Sequence, residues 1–281
     1  MPFDQPAAGP TPPAMPPPLQ PGQSGQPLET TLVARPQVTA GSLASRTMSV
    51  WWQNLWRFTG LMLLALVPLV VVGIGAAILI PSLVNRGARF EDSAPLVFGL
   101  VALVAVVALP LAAILLGGLS YGVVQHLAGR RVGIGAMLSQ GGRRVWPLTA
   151  AILLVMLAIL GGYILLIVPG IMIAIATSVA LPAVAVEGLG ATAAFRRSLE
   201  LTRGYRWSIF GGLFLVGLVQ FGLNMVSQLT TLIHPLLAAI LVFVVVLPAS
   251  VLSWILPAVA YHDLRVAKEG VDTSALAKVF E

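Results

Sequence analysis

An all-α, polytopic membrane fold is predicted by three features of the sequence. Of 281 residues, 58% are hydrophobic and only 9% are charged, far from the roughly 25% charged residues of soluble domains. Six apolar runs, at 58–85, 94–125, 147–168, 171–186, 207–232 and 235–261, approach or exceed the ~20 residues a helix needs to cross a bilayer. Fourteen of the sixteen Lys and Arg residues fall before the first run or after the second, fourth and sixth, and so on one side of the resulting bundle. The other side has only Arg86 and Arg89, offset by Glu91 and Asp92. The positive-inside rule then predicts a multi-pass protein of the cytoplasmic membrane with both termini in the cytoplasm. The net charge of +6 is explained by this placement, so nucleic acid is not expected as a partner. With no cysteine, disulfides, thiolate metal sites and cysteine nucleophiles are excluded.

Residues 1–42 are crowded with proline among Gly, Gln, Ser and Thr. Such a stretch has too little apolar surface to offset the entropy of ordering, and it reads as a disordered cytoplasmic tail. It lacks a basic segment followed by an apolar core, so it does not read as a signal peptide. The membrane domain spans 43–265 and opens with Trp51, Trp52, Trp56 and Arg57, an interfacial anchor. The second run is too long for an upright span and contains Pro110. A polar connector is absent at that proline, which favours one tilted or kinked helix that protrudes. The third and fourth runs turn at Pro169 and Gly170, and the last two turn near Thr230, Thr231, His234 and Pro235. Residues 266–281 form a cytoplasmic tail.

The segment 187–207, EGLGATAAFRRSLELTRGYRW, separates two apolar runs free of ionisable residues. As a helix it places Ala191, Ala194, Phe195, Ser198, Leu199 and Thr202 on one face and Arg196, Glu200 and Arg203 on the other, the pattern of a helix lying on a bilayer. Glu200 is spaced to pair with Arg196 and Arg203. An internal repeat recurs here: GIGA (133–136) leads to GRRVW (142–146), and GLGA (188–191) leads to GYRW (204–207). Trp56 and Arg57 make a weaker third instance. Three parallel units follow, each a cytoplasmic amphipathic connector and two spans.

The arginines of the connectors, Arg130, Arg131, Arg143, Arg144, Arg196, Arg197, Arg203 and Arg206, are the candidate contacts for anionic lipid or a partner. Glu187 and Arg265 leave their helices at the same depth and are expected to pair, with Asp263 answering a connector arginine, so that the C-terminal segment clamps 187–207 onto the bundle. Gln220, Asn224 and Gln228 recur every four residues and form a polar stripe on the fifth helix. Such a stripe can line a path, although hydrogen bonding between helices is its commoner use. His126, Glu187, His262 and Asp263 lie at three helix ends where a mixed nitrogen and oxygen metal site could assemble. Wet interfacial positions tolerate such residues without any metal, and no metal or cofactor is expected.

Four stretches, HLAGRRVGIGAMLSQGGRRVWPL (126–148), VPG (168–170), LPAVAVEGLGATAAFRRSLELTRGYRW (181–207) and YHDLRVAKEGVD (261–272), resemble a bacterial family known as the glycerophosphoryl diester phosphodiesterase membrane domain. His262 and Ala267 depart from the residues common in that family. The resemblance implies a membrane domain without the soluble catalytic barrel, and hence no enzyme. Two functional classes are expected. The first is a non-catalytic membrane platform whose partners are membrane lipids, with a protein partner or a second copy of the chain as further candidates. The alternative is a transport or lipid-handling protein for a neutral or amphiphilic solute.

Overall fold

A computed structural model describes residues 38–64, 67, 70, 74, 75 and 90–270, and among these there is no strand. The proline-rich 1–37, most of the first apolar run, the basic pair Arg86 and Arg89, and 271–281 lie outside the described residues. Five helices are long and apolar enough to cross a membrane, the mark of a multi-pass membrane protein. Large apolar side chains such as Leu157, Ile164, Phe214, Phe221 and Leu232 stand exposed on them. A surface of that kind suits a lipid solvent and would be penalised in water.

The first described helix is α1 (Ala40–Gln53). Thr39 and Ser42 cap it reciprocally, Ser42 N–H donating to Thr39 Oγ1 at 3.2 Å and Thr39 N–H to Ser42 Oγ at 3.0 Å. The helix therefore starts inside the stretch expected to be disordered up to 42, because a capping box satisfies its first free N–H groups. Leu43, Thr47 and Val50 line its buried face. A short apolar helix follows, α2 (Leu55–Leu64). Next comes α3 (Phe90–Leu127), a single 38-residue helix through Pro95 and Pro110 as the second run predicts.

After α4 (Ile134–Arg143) and α5 (Val145–Leu165), the chain turns at Leu166, whose φ of −170° and ψ of 158° are extended. The turn expected at Pro169 and Gly170 is displaced. Those residues lie in the first turn of α6 (Ile167–Thr177), where a proline costs nothing because its missing N–H would have no helical partner. Gly170 is required by packing, since a Cβ there would meet the Tyr163 ring at 2.6 Å. The fourth run is then broken at Ser178 and Val179 before α7 (Ala180–Glu187).

The predicted connector helix is α8 (Ala191–Thr202), and α9 (Arg206–Ile233) covers the fifth apolar run. The last hairpin turns at His234, as expected. The final span is interrupted: α10 (Pro235–Leu241), a π-helical stretch (Val242–Val246), α11 (Leu247–Ser250) and α12 (Leu252–Glu269). Its helix runs four residues past the expected boundary at 265 and ends on Gly270 at φ +64°.

At the centre α3, α7 and α12 pack on one another. The buried sequence Leu-Pro-Ala-Val-Ala occurs twice there, at 181–185 and 256–260, a repeat that the connector motifs did not reveal. The amphipathic helices surround this centre, α1 against α9 and α12, α4 against α3, and α8 against α5, α6 and α7. Gly118 and Gly122 of the GxxxG pattern admit Met137 of α4, which a Cβ at either position would strike at 2.6 Å.

Candidate functional site

A similar backbone break precedes the helix that follows each of the three amphipathic helices. Asn54 after α1 has φ −124° and ψ 21°, Arg144 after α4 has φ −121° and ψ 21°, and Tyr205 before α9 has φ −118° and ψ 9°. Two residues beyond each break stands a tryptophan: Trp56, Trp146 and Trp207, exposed by 84%, 75% and 84%. An arginine adjoins two of them, Arg57 and Arg206, while Arg144 occupies the break itself, two residues before Trp146. The outward aromatic next to a cation suits the boundary between head groups and acyl chains.

The eight arginines singled out by the sequence fall into separate groups. Arg130, Arg131, Arg143, Arg196 and Arg203 are exposed and make no ion pair among the described residues. Arg144 is structural. Its Nη1 donates to Val184 O at 2.9 Å while Gln140 Nε2 donates to Ala185 O at 3.3 Å, so α4 supplies donors to the C-terminal carbonyls of α7. Gly188, at φ +75°, leaves room for that guanidinium. Arg197 is structural too, and Arg206 is half-buried with its Nε unpartnered among the described residues.

Glu187 is the hub of an ion-pair cluster where α7, α8 and α12 meet. Arg197 Nε donates to both of its carboxylate oxygens at 3.2 Å, and the Tyr261 hydroxyl donates to Oε1 at 2.6 Å. Arg197 also bonds Glu269, whose other oxygen accepts from Arg265 Nε at 3.0 Å. Burial opposes the charge on Arg197, but the bonds to Glu187 and Glu269 outweigh it and hold the guanidinium above its ordinary pKa. The expected Glu187–Arg265 pair survives only as a 3.8 Å approach, because Arg197 and Tyr261 occupy the carboxylate first. The clamp is nevertheless present. Lys268 Nζ donates to Glu200 O at 2.5 Å and Arg203 O at 2.8 Å, covering the end of α8.

Asp263 does not answer a connector arginine. Its partner is Arg46 of α1 at 2.6 Å, with His262 Nδ1 at 3.2 Å. Helical phase explains the correction: Tyr261, Arg265 and Lys268 share one face of α12, whereas two residues turn Asp263 about 200° away, toward α1.

Other expectations are corrected by packing. The inner face of α8 meets protein where a bilayer was expected: Ser198 and Thr202 are buried and donate to Ala176 O at 2.8 and 3.2 Å. That carbonyl lies just before the break at Ser178, where helical donors run out. Glu200 makes no ion pair with Arg196 or Arg203 among the described residues. None of Gln220, Asn224 and Gln228 lines the apolar groove between α6 and α9 or the two open clefts of the polar surface. Gln220 Nε2 donates to Ala249 O, Asn224 to Gln220 O of its own helix, and Gln228 is exposed. Ala249 and its neighbour Pro248, whose carbonyl accepts from Trp51 Nε1 at 2.9 Å, follow the π-helical stretch, where carbonyls lose their regular partners.

Of the four residues weighed as metal ligands, His262 and Asp263 touch at 3.2 Å and the other two stand apart. His126 pairs with Gln53 at 3.1 Å, Glu187 sits in its own cluster, and no group of three ligating side chains occurs among the described residues. Two open clefts do occur on the polar surface. One, of about 550 Å³, is lined by Trp52, Trp56, Arg57, His126 and Arg131; the other, of about 590 Å³, by Thr192, Arg196, Arg197 and Glu200. The pairing roles of Arg46 and Tyr261 were missed by the connector count, though Tyr261 stood in a motif of fixed spacing. No family model, no curated protein and no solved structure matches the chain.

Proposed function

We propose that the chain is a non-catalytic membrane platform, six spans in three parallel two-helix units, whose basic face binds anionic lipid. On this reading both termini are cytoplasmic, and the protein is an enzyme-free relative of the membrane domain its connectors resemble. The exposed tryptophan that stands two residues past a similar backbone break three times over is the observation that carries it. Five exposed arginines without internal partners, Arg130, Arg131, Arg143, Arg196 and Arg203, support the same reading, since an unpaired guanidinium is free for phosphate. The transport alternative loses its main argument because Gln220 is spent on Ala249 O and Asn224 and Gln228 point away from the packed centre.

The test is thermal unfolding of detergent-purified protein with added phosphatidylglycerol or phosphatidylcholine. Phosphatidylglycerol should raise Tm, as any ligand of the folded state does, and the rise should shrink with salt. Replacing the five arginines by Gln should remove the salt-sensitive part of the difference between lipids. Equal stabilisation by both lipids at every salt concentration rejects the proposal.

A further inference from the structure

Between α6 and α9 runs an apolar groove of about 270 Å³, walled by Val168, Ile171, Met172 and Ile175 of α6 and by Trp207 and Phe210 of α9. The α6 wall runs over eight residues, Val168 to Ile175, roughly 10 Å of helix, enough to lie along part of an acyl chain. Its one charged lining residue is Arg206. Arg206 Nε is shielded from solvent and has no hydrogen-bond partner, and no hydrogen bond from its guanidinium to another described residue occurs. A buried donor left unmade costs free energy, more so when charged, and such groups are normally satisfied. An occupant that offers an anionic oxygen above a hydrocarbon tail would satisfy both the groove and the arginine.

The geometry points to a dedicated site for one anionic glycerophospholipid, its phosphate accepting from Arg206 and one acyl chain lying between α6 and α9. Charge selects the occupant: a neutral tail alone would leave the Arg206 donor unmet, and a soluble anion would leave the apolar walls bare. The site is distinct from the exposed arginines, whose attraction for head groups is diffuse and screened by salt. Arg206 is half-buried with its Nε shielded, so the groove should retain its lipid through a high-salt wash better than the exposed arginines do. This inference rests on the membrane reading but not on the five exposed arginines.

Native mass spectrometry of the full chain, loaded with phosphatidylglycerol and washed in detergent and high salt, tests it. One retained phosphatidylglycerol per chain is expected. Retention should fall about tenfold in Arg206→Gln, as the loss of a charge-assisted hydrogen bond implies, and to a similar degree in Met172→Trp, which fills the groove from an exposed position. The variant lacking Arg130, Arg131, Arg143, Arg196 and Arg203 should retain lipid like the parent. Retention unchanged in both groove variants, or an equal amount of phosphatidylcholine held by the parent, overturns the site. Loss of retention only in the five-arginine variant overturns it as well, while leaving the platform standing.

Discussion

The Tyr261 hydroxyl donates to Glu187 Oε1 at 2.6 Å, joining the end of the last helix to the end of α7 across 74 residues of sequence. Arg265, the partner expected for Glu187, stands back at 3.8 Å and donates instead to the same hydroxyl at 3.3 Å. Tyr261 is thus the inner link and Arg265 its support.

Replacing Tyr261 by Phe should therefore cost about 1.5–3 kcal/mol, the range for a hydrogen bond to a charged group. In double-mutant cycles on thermal unfolding, Tyr261→Phe should couple to Glu187→Gln more strongly than Arg265→Gln does. The opposite ranking would restore the direct Glu187–Arg265 bridge as the main contact.

Asp263 is 3% exposed and depends on Arg46. Arg46→Ala should cost about 3 kcal/mol, the lower end for a broken buried pair because Arg46 itself is half exposed. Adding Asp263→Asn should recover part of that loss by removing the uncompensated charge. If the double variant is less stable by the sum of the single losses, the pair does not operate.

Gly188 combines φ +75° with a guanidinium packed where a side chain would begin. Gly188→Ala should lose about 1–2 kcal/mol from the left-handed backbone alone, and more from displacing Arg144. The Arg144→Ala background should relieve the second part only. Unchanged unfolding of Gly188→Ala in the parent chain would contradict the packing described.

Trp56, Trp146 and Trp207 are exposed, and on the proposed platform reading they sit at head-group depth. Lipids brominated close to the glycerol should quench their fluorescence more than lipids brominated near the chain ends. Changing the three to Phe should remove most of that preference. Stronger quenching by the deep label would refute the interfacial placement.

The cysteine-free chain also permits a clean topology test. Cysteines at Ser24, Ser139 and Ser274 should react only from the cytoplasmic side, and one at Ser93 only from outside. Labelling of Ser139→Cys in intact cells by an impermeant reagent would reverse the assigned orientation.

Much of the architecture was legible because it depends on properties that each residue carries alone. The long helix through Pro110, the connector helix after Gly190, and the hairpin at His234 follow from apolar length and from glycine and proline punctuation. The turn at Leu166 was not legible, since proline is as welcome in the first turn of a helix as in the turn before it. The start of α1 was within reach, through Thr39 and Ser42, but the proline-rich flank masked it.

Sequence by itself determined that the chain is helical, apolar enough for a bilayer, and basic in alternate connectors, because partition between lipid and water is summed residue by residue. Tertiary structure decided which charges are spent and which remain. Arg144 and Arg197 look like their neighbours in sequence, yet one meets the carbonyls at the end of α7 and the other meets Glu187 and Glu269. Those outcomes depend on the rotational phase of each helix and on the carbonyls freed where its neighbour breaks. Neither quantity is local to the residue concerned, and two positions along α12 are enough to turn a side chain from α7 to α1.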